Sequence, residues 1–261
     1  MIKIKEAFQN GKAFIGFLTA GDPSLKKTEE YIIAMAEAGA DLIEIGIPFS
    51  DPIAEGAVIQ EADIRALAFG ATTDRILEMV CSVREKVRVP LVFMTYLNPV
   101  FHYGFERFCR RCAEAGISGL IVPDLPFEEK EELAPVCRSC GIELISMIAP
   151  TSEERIRRIA AEAEGFLYVV SSMGVTGVRS EITTDIGAMT KAAKSVSDVP
   201  CAVGFGISTP QQAAEMARHA DGVIVGSAIV KIIAEYGENA ASCISDYVRK
   251  MKNAMRQNGS M

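Results

Sequence analysis

Histidine is nearly absent from this sequence. Only His102 and His219 occur, neither in a recognisable catalytic setting, so a serine–histidine hydrolase lacks its base. No apolar run reaches the roughly 18 residues needed to cross a bilayer. The opening MIKIKEAFQNGK also lacks the apolar region of a secretory signal, so a cytoplasmic protein is expected. Basic runs are missing as well: 27 basic against 34 acidic side chains give a net charge of −7. That balance disfavours nucleic acid and other polyanions while leaving room for a local site for a small phosphate ester. Finally, no G-x-G-x-x-G follows the first strand-like run, where AFIGFLTAGDPS leads through a polar turn into a helix. The phosphate fingerprint of a doubly wound open sheet is therefore absent.

The seven cysteines are an odd number, which in a reducing compartment reads as free thiols. Cys109/Cys112 and Cys137/Cys140 have the C-x-x-C spacing used by zinc sites. Both pairs sit in helical patterns, FERFCRRCAEAG and EELAPVCRSCG, with the strand GLIVPD between them, so helix packing is the simpler reading and no metal is expected.

What the sequence does have is alternation. Short β-branched runs (AFIGFL, DLIEIGI, LVFMT, GLIVPD, LISMIA, FLYVVS, CAVGFG, GVIVGS) are separated by amphipathic segments such as Ile76, Val80, Val83, Val87 and Ile244, Val248, Met251. Ser24 and Thr73 are the expected N-caps. Strand–helix alternation requires parallel strands, and eight can close into an α/β (β/α)8 TIM barrel with no exposed edge. A hydrophobic content of 49% in 261 residues suits one such catalytic domain over 1–261. The opening segment reads as an extra N-terminal helix closing the bottom. Two segments, 48–72 and 172–185, read as oversized loops after the second and sixth strands, on the face where such barrels build their sites.

Glu44 lies inside the apolar strand Leu42-Ile43-Glu44-Ile45-Gly46, on the side of Leu42 and Gly46. Facing the interior, it would be desolvated and hold a proton near neutral pH. A structural carboxylate held by a basic partner or backbone donors is the other reading. Glu55, in the loop after the second strand, is either a second acid at the barrel mouth or solvated surface. Gly177, Gly206, Gly226 and Ser227 fall after the last three strands, where backbone amides and a helix N-terminus cradle phosphate in such barrels. Thr19, Asp22, Tyr96, Asn98 and Asp124 belong near the mouth, each also able to cap a helix. Phe17, Tyr168 and Phe205 can wall a ring substrate or simply fill core.

LIEIGIPFSDPIAEG, supported by FLTAGDP, VPDLP, SSMGVTG, GFGIS and GSAIVKII, resembles the tryptophan synthase α-chain family over almost the whole chain. The resemblance implies a lyase that splits indole-3-glycerol phosphate into indole and glyceraldehyde 3-phosphate, with no metal or organic cofactor. It implies that Glu44 transfers the proton, that Glu55 holds the second acidic position, and that the glycine set binds phosphate. It also implies that Tyr168 positions substrate and that Thr176 couples loop closure to the acids. A pyridoxal-phosphate-dependent β chain is the implied partner in an α2β2 assembly, with Asp51, Pro52 and Asn98 near the contact. The family more often has Asp at the position of Glu55, Pro at Ala57 and Arg at Ser172. A phosphate-ester isomerase on a related barrel, which would release no indole, and a non-catalytic scaffold, which would be indifferent to Glu44, are the competing readings.

Overall fold

The computed structural model describes residues 2–171, 185–204 and 206–257. Its strands are β1 (Ala13–Thr19), β2 (Leu42–Gly46), β3 (Leu91–Met94), β4 (Gly119–Ile121), β5 (Glu143–Leu144), β6 (Met147–Ile148), β7 (Leu167–Val170), β8 (Cys201–Gly204) and β9 (Gly222–Val225). Every pairing is parallel, and the sheet runs β5-β4-β3-β2-β1-β9-β8-β7-β6.

The two ends of that order, β5 and β6, are halves of one run, LISMIA. The Ile145 N–H donates to the carbonyl of Leu120 in β4, and the next carbonyl, of Ser146, accepts from Tyr168 N–H in β7. The strand passes from one neighbour to the other within two residues, and the sheet closes as a barrel of eight strands, leaving no edge to cover.

Side-chain alternation sorts the core into two layers. Phe14, Leu18, Ile43, Ile45 and Phe93 point outward against the helices. Ile15, Leu42, Val92, Ile121, Tyr168, Ala202 and Ile224 point inward and fill the barrel. The expected N-terminal helix is a short 3-10 turn, Ile4–Phe8, rather than an α-helix. Its Ile4 is fully buried with the inward layer, plugging the bottom. A buried isoleucine of this kind contributes about 1.5–3 kcal/mol.

Ser24 caps its helix as expected, accepting from Lys27 N–H at 3.2 Å. The cap of helix Thr73–Lys86 is Thr72, which accepts from Arg75 N–H; Thr73 is the first helical residue because Thr72 still has extended backbone, φ −127° and ψ 156°.

The larger correction concerns segment 48–72, read from sequence as a loop. It contains the helix Ala57–Ala68. The buried stripe of that helix includes Ile59, Ala62 and Ala66, two of the three too small to register as an apolar repeat. The helix is fastened to the turn after β1 by Arg65, whose Nε and Nη2 each donate to Asp22 at 2.8 Å. Among the described residues no helix is long and apolar enough to cross a membrane.

Candidate active site

The site grows out of β2. Ile43 and Ile45 are drawn to the helical layer, so Glu44 is left on the inward side with no exposure to solvent. Neither carboxyl oxygen has a hydrogen-bond partner among the described residues. With no cation or donor to favour the charged form, burial alone pushes the acid up to about 8. At neutral pH Glu44 is therefore mainly a carboxylic acid with a transferable proton. The structural alternative, a carboxylate held by a salt bridge or backbone donors, has no support among the described residues.

Phe17 stands beside Glu44 in register across β1 and β2. Its ring fits because two neighbours lack a side chain. A Cβ on Gly46 would sit 2.7 Å from the ring, and one on Gly226 would sit 3.1 Å from it. Tyr168, on β7 between Met147 and Ala202, is buried in the interior; burial and then the nearby Glu44 hold its hydroxyl well above the usual tyrosine range. Gly204 makes the space for that ring, since a Cβ there would come within 2.8 Å of two ring carbons.

Glu55 precedes Gly56, the N-cap of helix Ala57–Ala68, and is half-buried. Its oxygen Oε2 is enclosed and has no hydrogen-bond partner among the described residues. Burial raises this acid, and side-chain hydrogen bonds with Asp63 and Tyr96 oppose the rise. Asp63 lies two turns into the helix and is 4% exposed. Its Oδ2 accepts from Phe49 N–H at 3.4 Å, which ties down the loop that carries Glu55. Burial, then the charge of Glu55, push Asp63 up to about 9. Two carboxyls this close cannot both ionise at neutral pH. Burial raises both acids and each opposes ionisation of the other, so the pair holds one proton between them at neutral pH. Tyr96 completes the support: its hydroxyl accepts from Ala54 N–H at 3.0 Å, and its ring packs against Phe49 at 5.5 Å between centroids.

On the other side of β1 from β2, β9 ends at Val225, and helix Ser227–Tyr236 begins right after its N-cap Gly226, with no side chain capping it. The first amides of a helix have no intrahelical acceptor, so this corner offers donors and the positive end of a helix dipole. Gly206, after β8, has φ +85°, a conformation that favours glycine.

Glu44, Phe17, Tyr168, Glu55, Gly226 and Ser227 are thus placed at or inside the C-terminal end of the barrel, with Gly206 on the neighbouring turn. Thr176, Gly177 and Phe205 lie outside the described residues. Of the residues expected near the mouth, Asp22 is a tether to Arg65, and Asp124 caps helix Leu97–Tyr103 by accepting from Leu97 N–H at 2.9 Å. Asp63 was not anticipated. The available signal was a carboxylate four residues after Ile59 on a stripe that is otherwise Ile and Ala.

Large apolar side chains gather in exposed positions near this end of the barrel. Ile53, Ile64, Phe69 and Phe101 are each more than two-thirds exposed. They lie on the segment after β2 and on the helix after β3. Between those elements runs a groove of about 420 Å³ whose lining includes Phe49, Leu67, Asn98 and Pro99.

The chain matches the family described as tryptophan synthase alpha chain over residues 4–258. The tryptophan synthase alpha chain of Lacticaseibacillus casei is 46% identical over 255 residues, covering 98% of this chain and 96% of that one. That of Lactiplantibacillus plantarum is 48% identical over 256 residues, covering 98% and 97%. A crystal structure of the tryptophan synthase alpha chain from Legionella pneumophila superimposes with TM-score 0.89 at 36% identity, covering all of both chains. A chain of the tryptophan synthase complex from Pyrococcus furiosus gives TM-score 0.85 at 35% identity, covering 93% of this chain and 99% of that one.

Proposed function

This chain belongs to the tryptophan synthase alpha chain family, and we propose that Glu44 and Glu55 divide its chemistry between them. The protein is a lyase of tryptophan biosynthesis that cleaves indole-3-glycerol phosphate to indole and glyceraldehyde 3-phosphate. Glu44 donates its proton to C3 of the indole, which leaves the ring iminium-like and weakens the bond from C3 to the glycerol side chain. The resulting carboxylate then accepts the proton of the side-chain hydroxyl as that bond breaks, so the acid is regenerated within one turnover. Glu55, in the form where Asp63 holds their shared proton, accepts the indole N–H on Oε2 and stabilises the positive charge developing on the ring.

Phe17 and Tyr168, with Phe205, wall the ring, and Thr176 couples loop closure to the acids. Phosphate binds at Gly226 and Ser227 with Gly206 and Gly177, through backbone amides, one hydroxyl and the helix terminus. One observation carries the assignment of roles: a fully buried Glu44 carboxyl, without a hydrogen-bond partner among the described residues, beside Phe17 and Tyr168.

The partner is the β chain, in an α2β2 assembly. A relative from the hyperthermophile Pyrococcus furiosus, 36% identical to this chain, belongs to a tryptophan synthase a2b2 complex. The exposed Ile53, Ile64, Phe69 and Phe101 beside the apolar groove suit a surface covered by another protein, and Asp51 and Asn98 are exposed on the same elements. All seven cysteines are free, which fits a reducing, cytoplasmic setting.

Indole release from indole-3-glycerol phosphate tests the reading, using wild type and Glu44→Gln with and without the β chain. Release by wild type, stimulated by the β chain and lost in Glu44→Gln, is expected. Undiminished release by a folded Glu44→Gln protein would sink the assignment of Glu44.

A further inference from the structure

The two C-x-x-C pairs, which the lyase chemistry does not use, meet in the helical layer. Cys109 and Cys112 are both buried on the inward face of helix Phe105–Ala115, and Cys137 is buried in helix Ala134–Ser139, whose C-cap is Cys140. The Sγ atoms of Cys109 and Cys137 are 3.7 Å apart, across a contact between segments that follow different strands. Cys112 and Cys140 lie close enough to affect the ionisation of Cys137. Among the described residues no group of three or more His, Cys, Asp or Glu is arranged to hold a metal ion, so the cluster is a thiol pair with thiol neighbours.

We propose that Cys109 and Cys137 form an oxidation site, at which a small peroxide converts the two thiols into a disulfide joining the helices that follow β3 and β4. A disulfide bond is about 2.05 Å long, so the sulfurs must close by under about 2 Å, which side-chain rotation and a slight shift of the short second helix supply. Hydrogen peroxide is small and neutral enough to enter an apolar layer, and half-buried Cys140 marks the solvent side of the cluster. Either thiol can donate to the other across this contact, and a thiol that donates favours the thiolate on its partner, so either sulfur can attack, Cys109 among them.

The thiolate of Cys109 attacks one peroxide oxygen; the O–O bond breaks, the departing hydroxide takes up a proton as water, and Cys109 becomes a sulfenic acid. The Cys137 sulfur then attacks the Cys109 sulfur. The S–O bond breaks, and the second hydroxide leaves as water with the Cys137 proton. Two thiols and one peroxide give one disulfide and two waters.

Tryptic cleavage places the four cysteines in separate peptides, 108–110, 112–130, 131–138 and 139–155. The native chain is exposed to graded hydrogen peroxide, alkylated after denaturation, digested without reductant and mapped by mass spectrometry. The expected product joins 108–110 to 131–138, is reversed by dithiothreitol, survives in Cys81→Ser and Cys140→Ser, and is missing from Cys137→Ser. Crosslinks confined to other pairs would overturn the proposal. So would full alkylation of Cys109 and Cys137 at peroxide levels that oxidise exposed Cys81, and the wild-type map decides this even if a variant fails to fold.

Discussion

Phe17 and Glu44 are register partners on adjacent strands, so an aromatic face and an acid without a partner among the described residues share one level of the barrel interior. The ring helps keep water from the carboxyl, and that dryness is what holds the proton in place. The same dryness costs stability. For Glu44 the folded pKa is about 8 against an ordinary 4.5, so between those values the unfolded chain has lost the proton while the native chain keeps it. Stability falls as pH rises through that window, by about 1.4 kcal/mol per unit from this group. Glu44→Gln removes the dependence. Denaturant unfolding at pH 5 and pH 7.5 is expected to show the variant gaining on wild type as pH rises, while its indole release drops at least about 10²-fold. A constant stability difference across that range would contradict the raised acid.

Asp63 and Glu55 share a proton, so an amide at position 63, which donates without ionising, should serve in place of the acid. Asp63→Asn is expected to keep indole release within a few-fold of wild type. Asp63→Leu leaves Glu55 without its donor and loosens Phe49, and about 10-fold or more should be lost, since misplacing a catalytic group by 1 Å can cost about 10²-fold. The pH profiles of kcat/KM separate positioning from mere structure: Asp63→Leu should move the limb belonging to Glu55, whereas a stability defect alone would not.

The Asp22–Arg65 pair is an anchor between the turn after β1 and the helix that carries Asp63. The Asp22 side chain is 2% exposed and the Arg65 side chain 33%. Arg65→Ala leaves a buried carboxylate unpaired and is expected to cost roughly 2–4 kcal/mol by denaturant melts, more than an exposed ion pair is worth. Asp22→Asn/Arg65→Met together should recover part of that loss, because neither partner is then stranded.

Phe101 is 68% exposed and lies on the surface proposed for the β chain, so it tests that placement. Phe101→Asp is expected to reduce stimulation of indole release by the β chain about 10-fold or more, with the basal rate unchanged. Equal stimulation of variant and wild type would move the interface away from the helix after β3.

The strands were legible because each is a short β-branched run set off by turn residues, and all eight runs lie where expected. Glu44 was legible for a related reason: a charge inside an apolar run is conspicuous. The helix Ala57–Ala68 was hidden because its buried positions are largely alanine, and Asp63 was hidden with it. The N-terminal turn kept its predicted job but not its predicted geometry, since five residues form too short a piece to carry an α-helix without a longer apolar face. The split of the fifth strand follows from the closure of the sheet rather than from any residue pattern. No local signal announces it.

Gly46 on β2 and Gly226 at the N-cap after β9 are far apart in sequence, yet each is kept bare by the same ring. Positions 17, 46 and 226 therefore behave as one variable: no single exchange among them is neutral, while a smaller residue at 17 releases both glycines at once. Any redesign of this cavity to accept a bulkier heterocycle has to begin by changing those three positions together.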